Sequence, residues 1–259
     1  LANDIASSDN PLTTRVLVNR VWHHLFGRGI VASTNNLGVL GQRPSHPALL
    51  DHLATKFTTT HNWSIKSLLK SILLSSAYQM KSTPRPEYID RDPQNQHFHR
   101  QNIRRLQGEA IRDAILSVSG RLDTTQYGPS IATFLTPFMT GRGRPGQGPM
   151  DGSGRRSVYL SIRRNFLSPM MMAFDAPVPF NSVGRRNVSN VPSQALILMN
   201  DPFIKGQAHF WAERLVQRTD ESAKSRIEFM FLKAISRMPR EKETEMIRRF
   251  LESQQQEYQ

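Results

Sequence analysis

Residues 10–57 constrain the fold most, because this segment carries clear signals for two helices and the loop between them. Asn10 is a typical helix N-cap, and Pro11 suits the first helical position, where a missing N–H costs nothing. Between residues 12 and 26 apolar side chains recur every three or four positions, which indicates one buried helix face. Trp22 lies in the middle of that face, so we expect it to be buried.

The same segment predicts where the first helix ends and the second begins. Gly27 and Gly29 favour the positive φ angles that terminate a helix. Ser45 and Pro47 are typical of a helix start, and an apolar stripe follows them. Residues 31–44 lie between the two helices and are rich in Gly and Asn, so we expect a loop there.

The rest of the chain repeats the helical pattern, with a change of character in its centre. Residues 122–154 are dominated by Gly, Pro and Thr and have no apolar periodicity in their second half, which predicts a long loop. Apolar spacings of three and four predict further helices at 65–80, 104–119, 192–199, 202–218, 222–237 and 240–255.

A small β element is also predicted. Apolar and polar residues alternate over 157–164, the pattern of a half-buried strand, with 133–140 or 187–190 as its candidate partner. The expected fold class is therefore mainly α: one compact multi-helix domain over 1–259, with a small β element and a long Gly/Pro-rich central loop. A candidate internal boundary lies near 122–156.

Charge and cysteine content limit the functions open to the chain. The chain has a net charge of +13. It contains no Cys, and this absence rules out disulfides, thiolate catalysis and cysteine-ligated metals. There is no apolar run of about eighteen residues, as a membrane span would need. The sequence starts at Leu1 rather than Met and soon enters a capped helix. We therefore expect a piece excised from a longer multidomain protein.

Most of the positive charge lies in residues 100–186, which contain thirteen Arg, no Lys and five acidic residues. Arginine suits bidentate recognition of carboxylate, sulfate or phosphate. The helix start predicted at Pro192 adds free N–H groups that also attract anions. The alternative is that these arginines pair with acids and with carbonyls at helix ends. The candidate anion-binding residues are Arg20, Arg105, Arg142, Arg144, Arg163, Arg164, Arg185, Arg186 and Asn187.

Three residues are candidates for acid–base chemistry. Glu109 and Asp113 lie four positions apart on a predicted helix, so their carboxylates share a face. Two carboxylates in a cleft can divide the acid and base roles that glycoside cleavage requires, but they can also form a salt-bridged helix surface. His46 precedes a helix start, where an imidazole tends to stay neutral and can act as a base.

Other patterns point to less specific chemistry. Gly141–Pro149 contains Arg142 and Arg144 but lacks a P-loop signature, so we expect it to be a mobile loop, or a lid that orders over a bound anion. The mobile segment is expected to extend to Gly154. The histidine spacings match no helical pair of metal ligands, so no metal site is predicted. No cofactor is predicted within this chain.

Five segments occur in a fixed order along nearly the whole chain: NPLTTRVLVNRVWHHLFGRGIV, LGQRPSHPALLDHLA, RRLQGEAIRDAILSVSGRLD, RRSVYLSIRRN and GRRNVSNVPSQALILMNDPF. With them the chain resembles the C-terminal domain of unknown function of large planctomycete proteins, which often carry a cytochrome-c-like domain upstream. The resemblance implies an exported multidomain bacterial protein, periplasmic or at the cell surface, with haem in an upstream domain. It implies no catalytic residues.

Three functional hypotheses remain open. The first is a non-catalytic binding or scaffolding domain that recognises an anionic partner, either an acidic or sulfated polysaccharide or a companion domain, through its arginines. The second is a hydrolase or lyase of an anionic glycan, with Glu109, Asp113 or His46 as acid and base. The third is a nucleic-acid binder. The high pI favours it, but the sequence lacks the aromatic residues interleaved with basic ones that are typical of such proteins.

Overall fold

The computed structural model describes residues 1–7, 9–180, 182–218 and 222–257, and it is mainly helical, as predicted. The chain divides into two compact units, the first comprising Leu1–Arg105 with Val183–Arg185 and the second Leu106–Ser182 with Arg186–Gln259. The helices among the described residues are α1 (Ala2–Ala6), α2 (Pro11–Phe26), α3 (Pro47–Thr59), α4 (Ile65–Leu73), α5 (Pro86–Ile89), α6 (Gly108–Ser119), α7 (Pro169–Ala173), α8 (Pro192–Asn200), α9 (Pro202–Val216), α10 (Ala223–Ile235) and α11 (Glu241–Glu257).

The first unit is built on α2 and α3, and both predicted helix starts are confirmed. The Asn10 side chain accepts a hydrogen bond from the Leu12 N–H at 2.9 Å, and Pro11 occupies the first turn of α2. Trp22 is buried at 4% exposure, as predicted, and its ring stacks on Phe26 at 4.1 Å between centroids. The buried core of this unit comprises Val18, Trp22, Phe26, Ile30, Val31, Leu50, Leu53, Phe57, Leu68 and Ile72.

The end of α2 differs in one respect from the prediction. Gly27 has a φ of 80°, as expected for a residue that terminates a helix, but Gly29 is not left-handed. Gly29 is required for a different reason, since a Cβ there would lie 2.5 Å from the Val31 carbonyl oxygen and 2.9 Å from Asn19 Oδ1. The absence of a side chain therefore allows the loop to pass close to α2.

The second unit is organised around α6, which packs on α7, α9 and α10. Its buried apolar core is formed by Leu116, Met170, Phe174 and Phe203. The C-terminal end of α6 is closed by Gly120, whose φ of 81° lets its N–H bond back to the last turn. The α6 helix thus contributes one face to the core and leaves its polar face to the surrounding irregular chain.

The predicted strand at 157–164 is wrong. Ser157–Tyr159 forms a 3₁₀ turn, and among the described residues the chain makes only isolated β-bridges, one of them between Ile131 and Leu160. Val158 and Ile162 are both 71% exposed, so the alternating pattern does not bury one face. The expected small β element is reduced to single bridges because the Ser157 backbone N–H bonds to a carboxylate on α6 instead of to a strand.

The division into two units falls at Arg105 and Leu106, away from the boundary considered at 122–156. Residues 121–151 contain no helix, but they are tied at several points to the chain that follows. The Asp123 N–H donates to the Gly154 carbonyl at 2.8 Å, and the Ile131 N–H donates to the Tyr159 carbonyl at 2.8 Å. These bonds keep the central segment with the second unit.

Within Gly141–Gly154 the two halves differ, which leads to a prediction. Gly148 and Gly154 are buried and hydrogen-bonded, whereas a methyl group added at Gly141 or Gly143 would meet nothing within 4 Å. We expect trypsin to cleave after Arg142 before it cleaves after Arg155, because protease access requires an exposed, weakly held backbone. Mass spectrometry of the first fragments measures this order, and an earlier cut after Arg155 would contradict it.

No helix within the described ranges has both the length and the apolar character needed to cross a bilayer.

Candidate functional site

A buried asparagine on α2 holds the loop that follows this helix. Asn19 is fully buried. Its Nδ2 donates to the Val31 carbonyl at 2.9 Å, and its Oδ1 accepts from the Val31 N–H at 2.8 Å. The backbone N–H and C=O of Val31 are thereby both satisfied without a strand partner. The start of the loop after α2 is therefore fixed against the middle of the helix.

The loop is further closed on itself by short polar contacts. The Ser33 hydroxyl donates to the Asn36 carbonyl at 2.7 Å and accepts from the Gln42 N–H at 2.8 Å. The Asn36 Oδ1 accepts from the Gly38 N–H at 3.0 Å, so its amide NH₂ is left as a donor. These bonds give residues 33–42 a defined conformation.

The segment Val183–Arg185 lies against this loop, within the same unit. The Thr34 hydroxyl donates to the Gly184 carbonyl at 3.1 Å. A Cβ on Gly184 would fall 1.3 Å from Asn35 Oδ1, so any larger residue would force the Asn35 side chain to move. The neighbouring Arg185 is thereby brought to the end of α2, a juxtaposition between distant parts of the sequence.

Together these elements form a polar cleft of about 610 Å³, a volume within the range of ligand-binding sites. Two arginines, Arg28 and Arg185, line it, and Arg28 Nη1 also donates to Gln94 Oε1 at 2.8 Å. None of the described residues that line the cleft carries a carboxylate. The other polar side chains of the lining are those of His23, Ser33, Thr34, Asn35, Asn36 and Gln42.

His23 is the titratable group of this cleft. Burial lowers the pKa of His23, and the positive charges of His24, Arg185 and Arg104 lower it further. The imidazole is therefore neutral at neutral pH while guanidinium groups stand beside it. The arrangement is electropositive and suited to an oxyanion, because guanidinium groups form charge-assisted hydrogen bonds with such groups.

Arg185 and Arg186, which are both predicted anion-binding residues, have different environments. Arg185 belongs to the first unit and lines the cleft, whereas Arg186 belongs to the second unit. Arg186 Nη1 donates to Glu109 Oε2 on α6 at 2.6 Å. Although burial on its own raises the pKa of Glu109, the Arg186 hydrogen bond and charge hold that pKa below its ordinary value. Glu109 is therefore ionised at neutral pH.

Asp113 and its neighbour on α6 organise the irregular chain around them. Asp113 Oδ1 accepts from the Ser157 N–H at 2.7 Å and from its hydroxyl at 2.6 Å. Arg112 is only 4% exposed and donates to the carbonyls of Asp151 at 2.6 Å and Arg155 at 2.9 Å. The two acids of α6 therefore have separate partners: Glu109 bonds to Arg186, and Asp113 bonds to Ser157.

The remaining predicted residues lie outside the cleft. His46 is the N-terminal flanking residue of α3, as predicted, and its ring contacts His97 and Phe98 with centroids 5.8 and 5.6 Å apart. Arg164 lies over the Phe180 ring at 5.5 Å. The other candidates are exposed: Arg20 and Arg105 in the first unit, and Arg142, Arg144, Arg163 and Asn187 in the second.

Sequence reasoning missed most of the cleft. Arg185 was among the predicted anion-binding residues, but His23, Arg28 and the Asn36 region were read only as a polar helix face and a loop. The available signal was the polar loop next to a helix end that carries basic residues. No group of three or more His, Asp or Glu arranged to hold a metal occurs in the described part of the chain.

The fold and the cleft define a mainly helical domain with an arginine-lined polar site. The family model described as PSD1, protein of unknown function (DUF1553), matches residues 1–251, and the chain belongs to this family. Neither a curated protein nor a solved structure matches the chain.

Proposed function

We propose that this chain is a non-catalytic binding or scaffolding domain that recognises an anionic partner, an acidic or sulfated polysaccharide or a companion domain, through arginine side chains. The observation that carries the proposal is the cleft at the end of α2. It places Arg28 and Arg185 beside a polar loop and includes no carboxylate among its described lining residues. An anionic group entering it meets two guanidinium groups and polar side chains, and no carboxylate among the described lining residues.

Surface arginines of the second unit support the same proposal. Arg142, Arg144 and Arg163 are exposed, and no ion pair to any of them occurs among the described residues. Each can therefore contribute to long-range attraction of a polyanion without first breaking an internal pair. The cleft would supply the specific contact, and these side chains would supply the salt-dependent attraction.

The enzymatic alternative, a hydrolase or lyase of an anionic glycan, has weaker support. A general acid needs a pKa near the working pH so that it still holds its proton, whereas the pKa of Glu109 is lowered. Asp113 already accepts two hydrogen bonds from Ser157. His46 belongs to the other unit.

Heparin affinity chromatography tests the proposal with two matched double variants. Arg28→Ala with Arg185→Ala removes two charges from the cleft, while Arg142→Ala with Arg144→Ala removes two from the exposed loop. We expect the cleft variant to elute at clearly lower salt than the loop variant, because only the cleft arginines act within a preformed site. Equal elution of the two variants would refute the assignment of the site.

A second comparison separates the proposal from nucleic-acid binding. A sulfated glycan and duplex DNA are titrated at the same salt concentration, since electrostatic affinities can be compared only at matched salt. We expect the glycan to bind at least as tightly as DNA. A clear preference for DNA would favour the nucleic-acid alternative.

The proposed setting is an exported bacterial protein, periplasmic or at the cell surface, with an upstream cytochrome-c-like domain. Its support is the resemblance of the five sequence segments to planctomycete proteins of that organisation. The companion-domain version of the proposal follows from this setting, since an acidic face of such a domain would present carboxylates to the cleft.

A further inference from the structure

We propose that the cleft binds an oxyanion that stays ionised below neutral pH, a sulfate ester or a carboxylate, and that His23 takes up a proton when it binds. The proposal rests on the proposed function, because it assumes that the cleft is the anion site. It adds the chemical class of the ligand and a pH dependence of the same site.

The hydrogen-bonding character of the cleft favours a ligand that only accepts. Arg28 and Arg185 have no acceptor atoms on their guanidinium groups. The side-chain oxygen of Asn36 already accepts from the Gly38 N–H, so the side-chain NH₂ of Asn36 is left to donate. The Ser33 hydroxyl has already donated its proton to the Asn36 carbonyl. Among these four side chains a ligand that must donate a proton would find few partners, whereas a sulfate or a carboxylate can accept from them.

The charges around His23 explain why its protonation should depend on the anion. On its own helix His24 faces it, with ring centroids 5.5 Å apart. Arg28 lies in the loop that follows α2, and Arg104 and Arg185 act on His23 from other segments of the unit. All these groups are positive or become positive on protonation, so a proton on His23 is disfavoured in the protein alone.

A bound oxyanion would reverse the sign of that local field. It would be the only negative charge next to His23 among the described lining groups, so it would raise the pKa of the imidazole. By linkage, a ligand that raises a pKa binds more tightly as the pH falls through the interval between the free and bound pKa values. Affinity then levels off below the free value, where the ring is protonated in both states.

Calorimetric titration with a short dextran sulfate tests this inference, because its sulfate esters stay ionised over the range used. We expect the wild-type affinity to rise about tenfold between about pH 8 and about pH 5, the factor that corresponds to one pH unit of pKa change. Titrations in buffers of different ionisation enthalpy should show net proton uptake. His23→Asn keeps a polar side chain and should bind with little dependence on pH, while the exposed control His52→Asn should behave as wild type.

A direct measurement covers the case in which His23→Asn fails to fold. The NMR titration of the His23 ring in the wild-type protein should give a higher pKa with dextran sulfate than without it. An unchanged His23 pKa, or the same pH dependence in wild type and His23→Asn, would overturn this inference and leave the proposed function standing. Wild-type affinity at about pH 8 in the Arg28→Ala, Arg185→Ala variant would instead overturn the proposed function itself.

Discussion

Replacing Trp22 by alanine is expected to lower the free energy of unfolding by about 3–5 kcal/mol, the range for removing a buried large aromatic side chain. Trp22 is 4% exposed in the middle of α2. Its ring stacks on Phe26 and meets Phe98 edge-on at 5.3 Å between centroids. The substitution therefore removes contacts on two sides and leaves a cavity between α2 and the residues after α5.

Chemical denaturation of Trp22→Ala and of Arg20→Ala measures this effect against a control on the same helix. Arg20 is exposed, and its replacement should stay within about 0.5 kcal/mol of the wild type. Two variants of equal stability would show that Trp22 contributes no burial, and that the orientation of α2 differs from the one described.

Replacing Arg112 by methionine is expected to cost about 3–5 kcal/mol, because it breaks a buried charged network and leaves its acceptors unpaired. The Arg112 guanidinium donates to the carbonyls of Asp151 and Arg155 and to the Ser157 hydroxyl at 3.2 Å. Methionine keeps the apolar stem but provides no donor. The irregular chain from Asp151 to Ser157 would lose these bonds to α6 and keep those between Ser157 and Asp113.

Arg156→Met provides the matched control for that prediction. Arg156 also lies near Asp113, at 3.8 Å, but its side chain is 51% exposed. Solvent screens such a pair, so its loss should change the free energy of unfolding by no more than about 1 kcal/mol. If thermal or chemical denaturation shows similar losses for Arg112→Met and Arg156→Met, the buried network has no special role in stability.

Helix starts with local signals were predicted better than helix ends, since the helix expected over 65–80 ends at Leu73. The N-cap of α2, the proline at the start of α3, and the Ser64 side chain that accepts from the Ser67 N–H of α4 are interactions between neighbours in the chain. Their energetics depend on residues within one turn, and the sequence displays those residues directly. The burial of Trp22 followed for the same reason, from apolar spacing within a single helix.

Predictions that depended on a distant partner fared differently. Residues 157–164 alternate in sequence but pair only through isolated bridges, and a carboxylate on α6 accepts the Ser157 N–H that a strand would have used. Asn19 is a polar residue of α2, yet its amide is fully buried because it bonds to both the N–H and the C=O of Val31. Neither pairing has a signal in the local sequence.

The sequence by itself determined that this protein is mainly helical, where α2 and α3 begin, and that its centre is rich in arginine. Only the tertiary structure decided what each arginine does: Arg112 is buried and structural, Arg186 is paired with Glu109, and Arg185 lines a cleft. The reason is physical. Helix starts and apolar faces depend on short spacings along the chain, whereas the state of a charged side chain depends on burial and on partners far away in sequence.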